Sequence, residues 1–221
     1  MKAKTAIVIG ATGLVGSSLL KQLCESIYYE KVLVFHRRAL DFKHAKLEVE
    51  IVDFDGIDSW KNLVKGDVLF SAMGTTIKVA GSKENQYKVD YTYQYLVAKA
   101  AVENGTKQMV LVSSAGANAK SSVFYLRMKG ELENALVKLS FKTIHFIRPN
   151  LLVGDRKESR AGEIWGEKIL VFFNSIGILK SQKPIHVDKV AKTMITSSLE
   201  EEQVVFVCEG ADLMKKHLFT N

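Results

Sequence analysis

The sequence predicts a Rossmann-like α/β fold: a doubly wound parallel sheet in a single domain over residues 1–221, with a small C-terminal substrate-side region at about 150–190. Three observations support this. A run rich in β-branched residues, Lys4 to Ile9, ends in glycines at positions 10, 13 and 16. Strand-like apolar runs then alternate with stretches of helical spacing along most of the chain. No Pro/Gly/Ser-rich linker or block of charge divides it.

The elements follow in order. The first strand stops at Gly10, which can take a tight turn; Gly13 lets phosphates approach the backbone, and Gly16 lets the next helix pack hard on the sheet. Bare amides at such a turn can seat a pyrophosphate. The spacing is Gly-x-x-Gly-x-x-Gly, not the commoner Gly-x-Gly-x-x-Gly. Behind it, Leu14, Val15, Leu19, Leu20 and Leu23 share one helical face. A second strand, Lys31 to His36, arrives where an NAD-type unit would carry an acidic ribose ligand, but it ends in His36, Arg37 and Arg38. A carboxylate there would repel a phosphate, whereas guanidinium groups grip one through paired, charge-assisted bonds, so NADP (NADPH) is favoured over NAD.

Leu47 to Val52 reads as a third strand, followed by a turn with a short helix in DFDGIDSW. Asp67 to Ser71 is a fourth strand, ending in the small-residue turn Ala72 to Thr76. A long helix covers Asn85 to Asn104, with Val89, Tyr93, Leu96, Val97 and Ala100 on its inner side. Lys107 to Val112 is a fifth strand, Val123 to Leu139 a helix, and Thr143 to Ile147 a sixth strand ending at Arg148-Pro149. Patterning is less regular beyond, with a helix at Val187 to Leu199 and a last strand at Gln203 to Cys208. Such alternation implies right-handed crossovers, with ligands outside the carboxyl ends of the strands.

Composition narrows the function. With 47% hydrophobic and 25% charged residues the chain reads as a soluble globule, and no apolar stretch reaches membrane-spanning length. The first residues do not read as a signal peptide, because their apolar run ends in the glycine turn. Cys24 and Cys208 have no Cys-x-x-Cys partner, which fits a reducing compartment and an expected cytoplasmic location. The five histidines include no His-x-x-x-His pair, so no metal site is expected. The net charge of +7 is scattered, which suits a polyphosphate ligand better than nucleic acid. Monomer and homodimer both stay open.

Tyr125 and Lys129 stand four apart on a predicted helix, hence on one face. A phenol is a poor proton donor or acceptor near neutrality, and an adjacent ammonium stabilises its phenolate. A nearby serine hydroxyl, from Ser113 or preferably Ser114, can hold a substrate oxygen while a nicotinamide handles hydride. Tyr95 and Lys99 repeat the spacing but follow no strand ending in serines.

GATGLVG, the serine pair, YLRMK and RPNLL together resemble the atypical short-chain dehydrogenase/reductase superfamily. More narrowly, SAMGTT, YLRMKGELE and RPNLLVGDRKESRAGE resemble the Tat-interacting oxidoreductase family of small NADPH-binding proteins and its bacterial relatives. The resemblance implies that Gly10, Thr12, Gly13, Leu14, Val15 and Gly16 hold the pyrophosphate, and that Arg37 and Arg38 meet the adenosine phosphate. It places Asp53 and Phe54 at adenine, Ala72, Met73 and Gly74 at ribose, and Pro149, Leu151 and Leu152 beside the nicotinamide. Ser114, Tyr125 and Lys129 would be catalytic, with Ser113 in the cofactor site.

Asp155, Arg156, Glu158, Arg160 and Glu163 read either as a solvated loop or as a lid whose arginines meet an anionic small-molecule substrate. PIHVDKVA resembles a substrate-side segment in extended members of the superfamily, with His186 structural. The expected activity is hydride transfer between NADP(H) and a small carbonyl or alcohol. The alternatives are an NADPH-binding redox sensor or regulator with little turnover, and a sugar-nucleotide epimerase or dehydratase, which the short stretch after Pro149 disfavours.

Overall fold

Alternation along the strands dictates the layers. In β1 (Lys4–Ile9), Ala6 and Val8 face one side and Ile7 and Ile9 the other, all fully buried. Both faces must therefore be covered by helices. The computed structural model describes residues 3–154, 184–200, 202 and 205–209.

After β1 come α1 (Leu14–Glu25), β2 (Tyr29–His36), β3 (Leu47–Ile51), two short 3-10 turns (Phe54–Ser59 and Lys61–Leu63) and β4 (Val68–Ser71). α2 (Ile77–Ala80) and α3 (Lys83–Tyr87) lead through a π turn, Lys88–Thr92, into α4 (Tyr93–Glu103). β5 (Gln108–Val112), α5 (Phe124–Val137) and β6 (Thr143–Arg148) follow, then a small parallel pair of β7 (Leu152–Val153) and β8 (Ile185–His186). α6 (Val187–Ser197) and β9 (Val205–Glu209) are the last described elements.

Seven strands form one sheet in the order β3-β2-β1-β4-β5-β6-β9, every pair parallel. On one face Leu19, Leu20 and Leu23 of α1 and Val190, Ala191 and Met194 of α6 cover Ala6, Val8, Val32, Val34, Val68 and Phe70. On the other, Val97, Ala98 and Ala101 of α4 and Leu132 and Leu136 of α5 cover Ile7, Ile9, Leu33, Phe35, Leu69 and Leu111. Each such buried side chain contributes about 1.5–3 kcal/mol. The doubly wound parallel sheet expected from the sequence is thus present.

The long helix expected over Asn85 to Asn104 differs in one respect that bears on function. Gln86, Asp90 and Gln94 are its buried residues in the region before Val97, while Val89, Tyr93 and Leu96 are only partly buried. A π turn carries one extra residue per turn, so the inward stripe shifts phase there. Two polar side chains inside the helix layer are satisfied by pairing: Gln94 accepts from the Ser71 hydroxyl at 2.6 Å and donates to the Asp90 carbonyl at 2.7 Å. His186 caps α6, its Nδ1 accepting from the Asp188 amide. No helix among the described residues is long and apolar enough to cross a membrane.

Candidate active site

The strand order turns back between β1 and β4, and a cleft of about 280 Å³ opens at their carboxyl ends. Its floor is the glycine turn. Gly10 has φ +81°, and a Cβ there would sit 2.4 Å from the backbone of Ala72; one on Gly16 would sit 1.9 Å from the Gly10 carbonyl oxygen. Glycine is therefore required at both positions for the turn to close against β4 and α1. Gly13 begins α1 as a cap with no side-chain acceptor, which leaves first-turn amides open to an anion.

Gly10, Thr12, Gly13, Leu14 and Val15 line the cleft, whereas Gly16 lies beneath them inside α1. At the β2 side the wall is Arg37 and Arg38, both exposed, with Phe54 and His36. The His36 ring ties this wall to the glycine turn, its Nε2 lying 3.1 Å from Thr12 Oγ1. Asp53 stands outside the cleft wall, because its carboxylate caps the first 3-10 turn by accepting from the Asp55 amide at 3.0 Å. Ala72, Met73 and Gly74 line the middle; Pro149, Leu152, Ser113, Tyr125 and Lys129 line the far end. Leu151 lies off the wall, its carbonyl accepting from the Ile185 amide. The charged loop at Asp155, Arg156, Glu158, Arg160 and Glu163, and most of the expected substrate-side segment, lie outside the described residues.

The two serines divide. Ser113 Oγ is buried, lines the cleft and has no hydrogen-bond partner. Ser114 is also buried but does not line the cleft; its hydroxyl donates to the Ala115 carbonyl at 3.3 Å, and it is near enough to Tyr125 to act on the phenol. Tyr125 and Lys129, one turn apart on α5, come together as their spacing requires, with the Lys129 ammonium 5.8 Å from the Tyr125 ring centre.

The sequence did not single out Asp90. It sits on the π turn, 1% exposed, and its Oδ1 meets Lys129 Nζ at 2.8 Å, with Lys129 only 3% exposed. Its other oxygen accepts from the Thr75 amide at 2.8 Å. Both partners are donors, so the carboxylate is the form whose hydrogen bonds are made. Burial raises the Asp90 carboxyl above its ordinary range, against the pull of Lys129 and the Thr75 amide. Burial also opposes the Lys129 ammonium, yet Asp90 and Tyr125 outweigh it and hold its pKa above the usual value. Burial raises the Tyr125 phenol; Lys129 and Ser114 lower it and Asp90 raises it, with the net shift upward. Thr75, Thr76, Val89 and Tyr93 complete the wall. An acid amid an apolar helical stretch was the available sign of Asp90, and the phase shift at the π turn hid it.

The family described as NAD(P)H-binding matches residues 10–162. The chain belongs to the NAD(P)H-binding family. Its curated relatives include "Protein FMP52, mitochondrial" of Candida albicans, 36% identical over 222 residues, covering 96% of this chain and 97% of that protein. The protein of the same name from Saccharomyces cerevisiae is 34% identical over 212 residues, covering 91% of each. Among solved structures, the ADP-L-glycero-D-manno-heptose-6-epimerase of Helicobacter pylori superposes with a TM-score of 0.69 at 16% identity, over 93% of this chain and 76% of that one. The WbmH enzyme of Bordetella bronchiseptica, solved in complex with NAD+, gives 0.69 at 16% identity, over 92% of this chain and 74% of that one. These agree with the short-chain dehydrogenase/reductase resemblance and with a nicotinamide nucleotide as cofactor.

The expected cytoplasmic location is corrected by these comparisons, since the relatives are named mitochondrial. The physical reason is plain. Two buried thiols, Cys24 and Cys208, fit a reducing environment, and cysteine usage does not separate one reducing compartment from another.

The residues present fit an NAD(P)H-binding role. A turn that only glycine can make, uncapped amides at α1 and an unpartnered Ser113 hydroxyl all face one cleft.

Proposed function

We propose that the protein is an NADP(H)-dependent oxidoreductase of the atypical short-chain dehydrogenase/reductase type, acting on a small carbonyl or alcohol and working in mitochondria as the names of its relatives suggest. The observation that carries the reading is that Tyr125, with Ser114 and Lys129 around it, stands in the same cleft as the glycine turn. When bound, the nicotinamide supplies or accepts hydride at carbon.

The chain's own groups do the rest. Gly10, Thr12, Gly13, Leu14 and Val15 present backbone to the pyrophosphate, and Arg37 and Arg38 supply the charge that selects a phosphorylated adenosine. Phe54 offers adenine an apolar face, Ala72 to Gly74 border a ribose, and Pro149 and Leu152 close the nicotinamide end. Tyr125 exchanges a proton with the substrate oxygen, Ser114 orients the phenol, and the free Ser113 hydroxyl is placed to meet the same oxygen or the cofactor amide.

The test is NADPH oxidation over a panel of aldehydes, ketones and quinones, with wild type beside Tyr125→Phe. Turnover should fall at least 100-fold in the variant while NADPH binding stays within about threefold, since general acid catalysis is worth roughly 10²–10⁴. Unchanged turnover in Tyr125→Phe overturns the reading. Tight binding with no turnover across the panel in wild type would instead favour a cofactor-holding sensor.

A further inference from the structure

A lysine beside a catalytic phenol ordinarily pulls its proton off. Here that lysine also has a carboxylate partner. Lys129 Nζ lies 2.8 Å from Asp90 Oδ1, both side chains all but sealed from solvent, while the Tyr125 ring centre is 5.8 Å away. Asp90 is fixed in turn, its second oxygen accepting from the Thr75 amide of the turn after β4 and its carbonyl accepting from Gln94. The π turn aims this carboxylate inward at a position that an unbroken α-helix would phase differently.

We propose that Asp90 is a positioning residue that holds Lys129 in a buried ion pair, offsets its charge at Tyr125 and so sets the site to give a proton to a carbonyl oxygen, reducing an aldehyde or ketone rather than oxidising an alcohol. This rests on the oxidoreductase reading above. The pair adds no net charge, so the field at the phenol is weaker than a lone ammonium would make it. Among the described residues the other charged group acting on Lys129 is Glu133 of α5, whose carboxylate is paired with Arg148 of β6 at 3.0 Å and so contributes less than Asp90. Burial acts toward a retained phenolic proton and the paired Lys129 against it, with Asp90 adding to burial and the net shift upward.

The reaction balances. A bound reduced nicotinamide would supply the hydride for the new C–H bond at the carbonyl carbon, and the C=O π pair would pass to oxygen. That oxygen takes the Tyr125 proton, leaving alcohol, oxidised nicotinamide and a tyrosinate that water reprotonates.

The test is a pH titration by NMR of protein carrying tyrosine labelled with ¹³C at Cζ, without cofactor or substrate; the Tyr125 signal is the one missing from Tyr125→Phe. In wild type it should titrate at or above the ordinary tyrosine value of about 10. In Asp90→Asn the midpoint should fall by about one unit or more, the size of shift a freed neighbouring charge produces, and adding Lys129→Met should reverse the fall. A wild-type midpoint below the ordinary value, or one unmoved in Asp90→Asn, overturns the proposal. Should Asp90→Asn not fold, wild type against Lys129→Met decides: a midpoint in wild type well below that of the lysine variant means the ammonium is not restrained. The readout needs no turnover, so its failure is distinct from failure of the Tyr125→Phe assay.

Discussion

Arg37 and Arg38 are exposed on the cleft wall, so their value lies in what they attract rather than in what they hold together. Hydrogen bonds to charged groups are worth about 1.5–3 kcal/mol each. Replacing both by alanine should therefore weaken NADPH binding at least tenfold while NADH binding changes less than about threefold, each read by fluorescence titration at fixed salt. Equal losses would make the pair ordinary surface. At this scale the sequence was legible where spacing alone brings groups together: Tyr125 and Lys129 share a helix face. It was less so where a side chain's local duty decides its direction. Asp53 follows β3 as a ligand-facing residue should, and one oxygen of its carboxylate accepts from the Asp55 amide off the cleft wall. Asp90, which the sequence did not single out, is buried against Lys129.

Among the elements, α5 carries the chemistry and depends on a close approach at its middle. A Cβ on Gly130 would lie 2.2 Å from the Ala119 amide nitrogen, so the segment after the serine pair lies directly on the helix. Gly130→Ala should cost about 1–3 kcal/mol in urea unfolding, as overpacking does. Gly56→Ala, with only the Ser59 hydroxyl at 3.8 Å, is the control and should change stability by less than about 0.5 kcal/mol. The strands of the main sheet were readable to within two or three residues because the central ones, β1, β4, β5 and β6, are runs buried on both faces; β2, expected from Lys31, begins at Tyr29. The interior of the long helix was not, since a 3.6-residue period cannot foresee a π turn, and the predicted inner face drifted at Val89 and Tyr93.

At the scale of the molecule, the cleft lies where the strand order turns back, joining residues as distant as Gly10 and Leu152. A ligand bridging these parts stabilises the fold by mass action. NADPH at about 100 times its dissociation constant should add roughly 2.7 kcal/mol, raising the Tm by about 5–10 °C, with a smaller rise from NADH at the same concentration. Differential scanning fluorimetry measures both, and no rise with either would argue against the cleft as the cofactor site. The architecture was open to sequence reasoning because burial demands it, whereas the compartment was not, because buried thiols look alike in any reducing medium. The last described strand has its own consequence. Glu209, at the end of β9, accepts from Arg148 of β6 and from the Gly116 amide, both at 3.3 Å, in the turn just past Ser113 and Ser114. In chain order these residues follow every other described one, so a growing chain can lay down six strands of the sheet before it holds the carboxylate that ties β6 to the bend beside the serine pair.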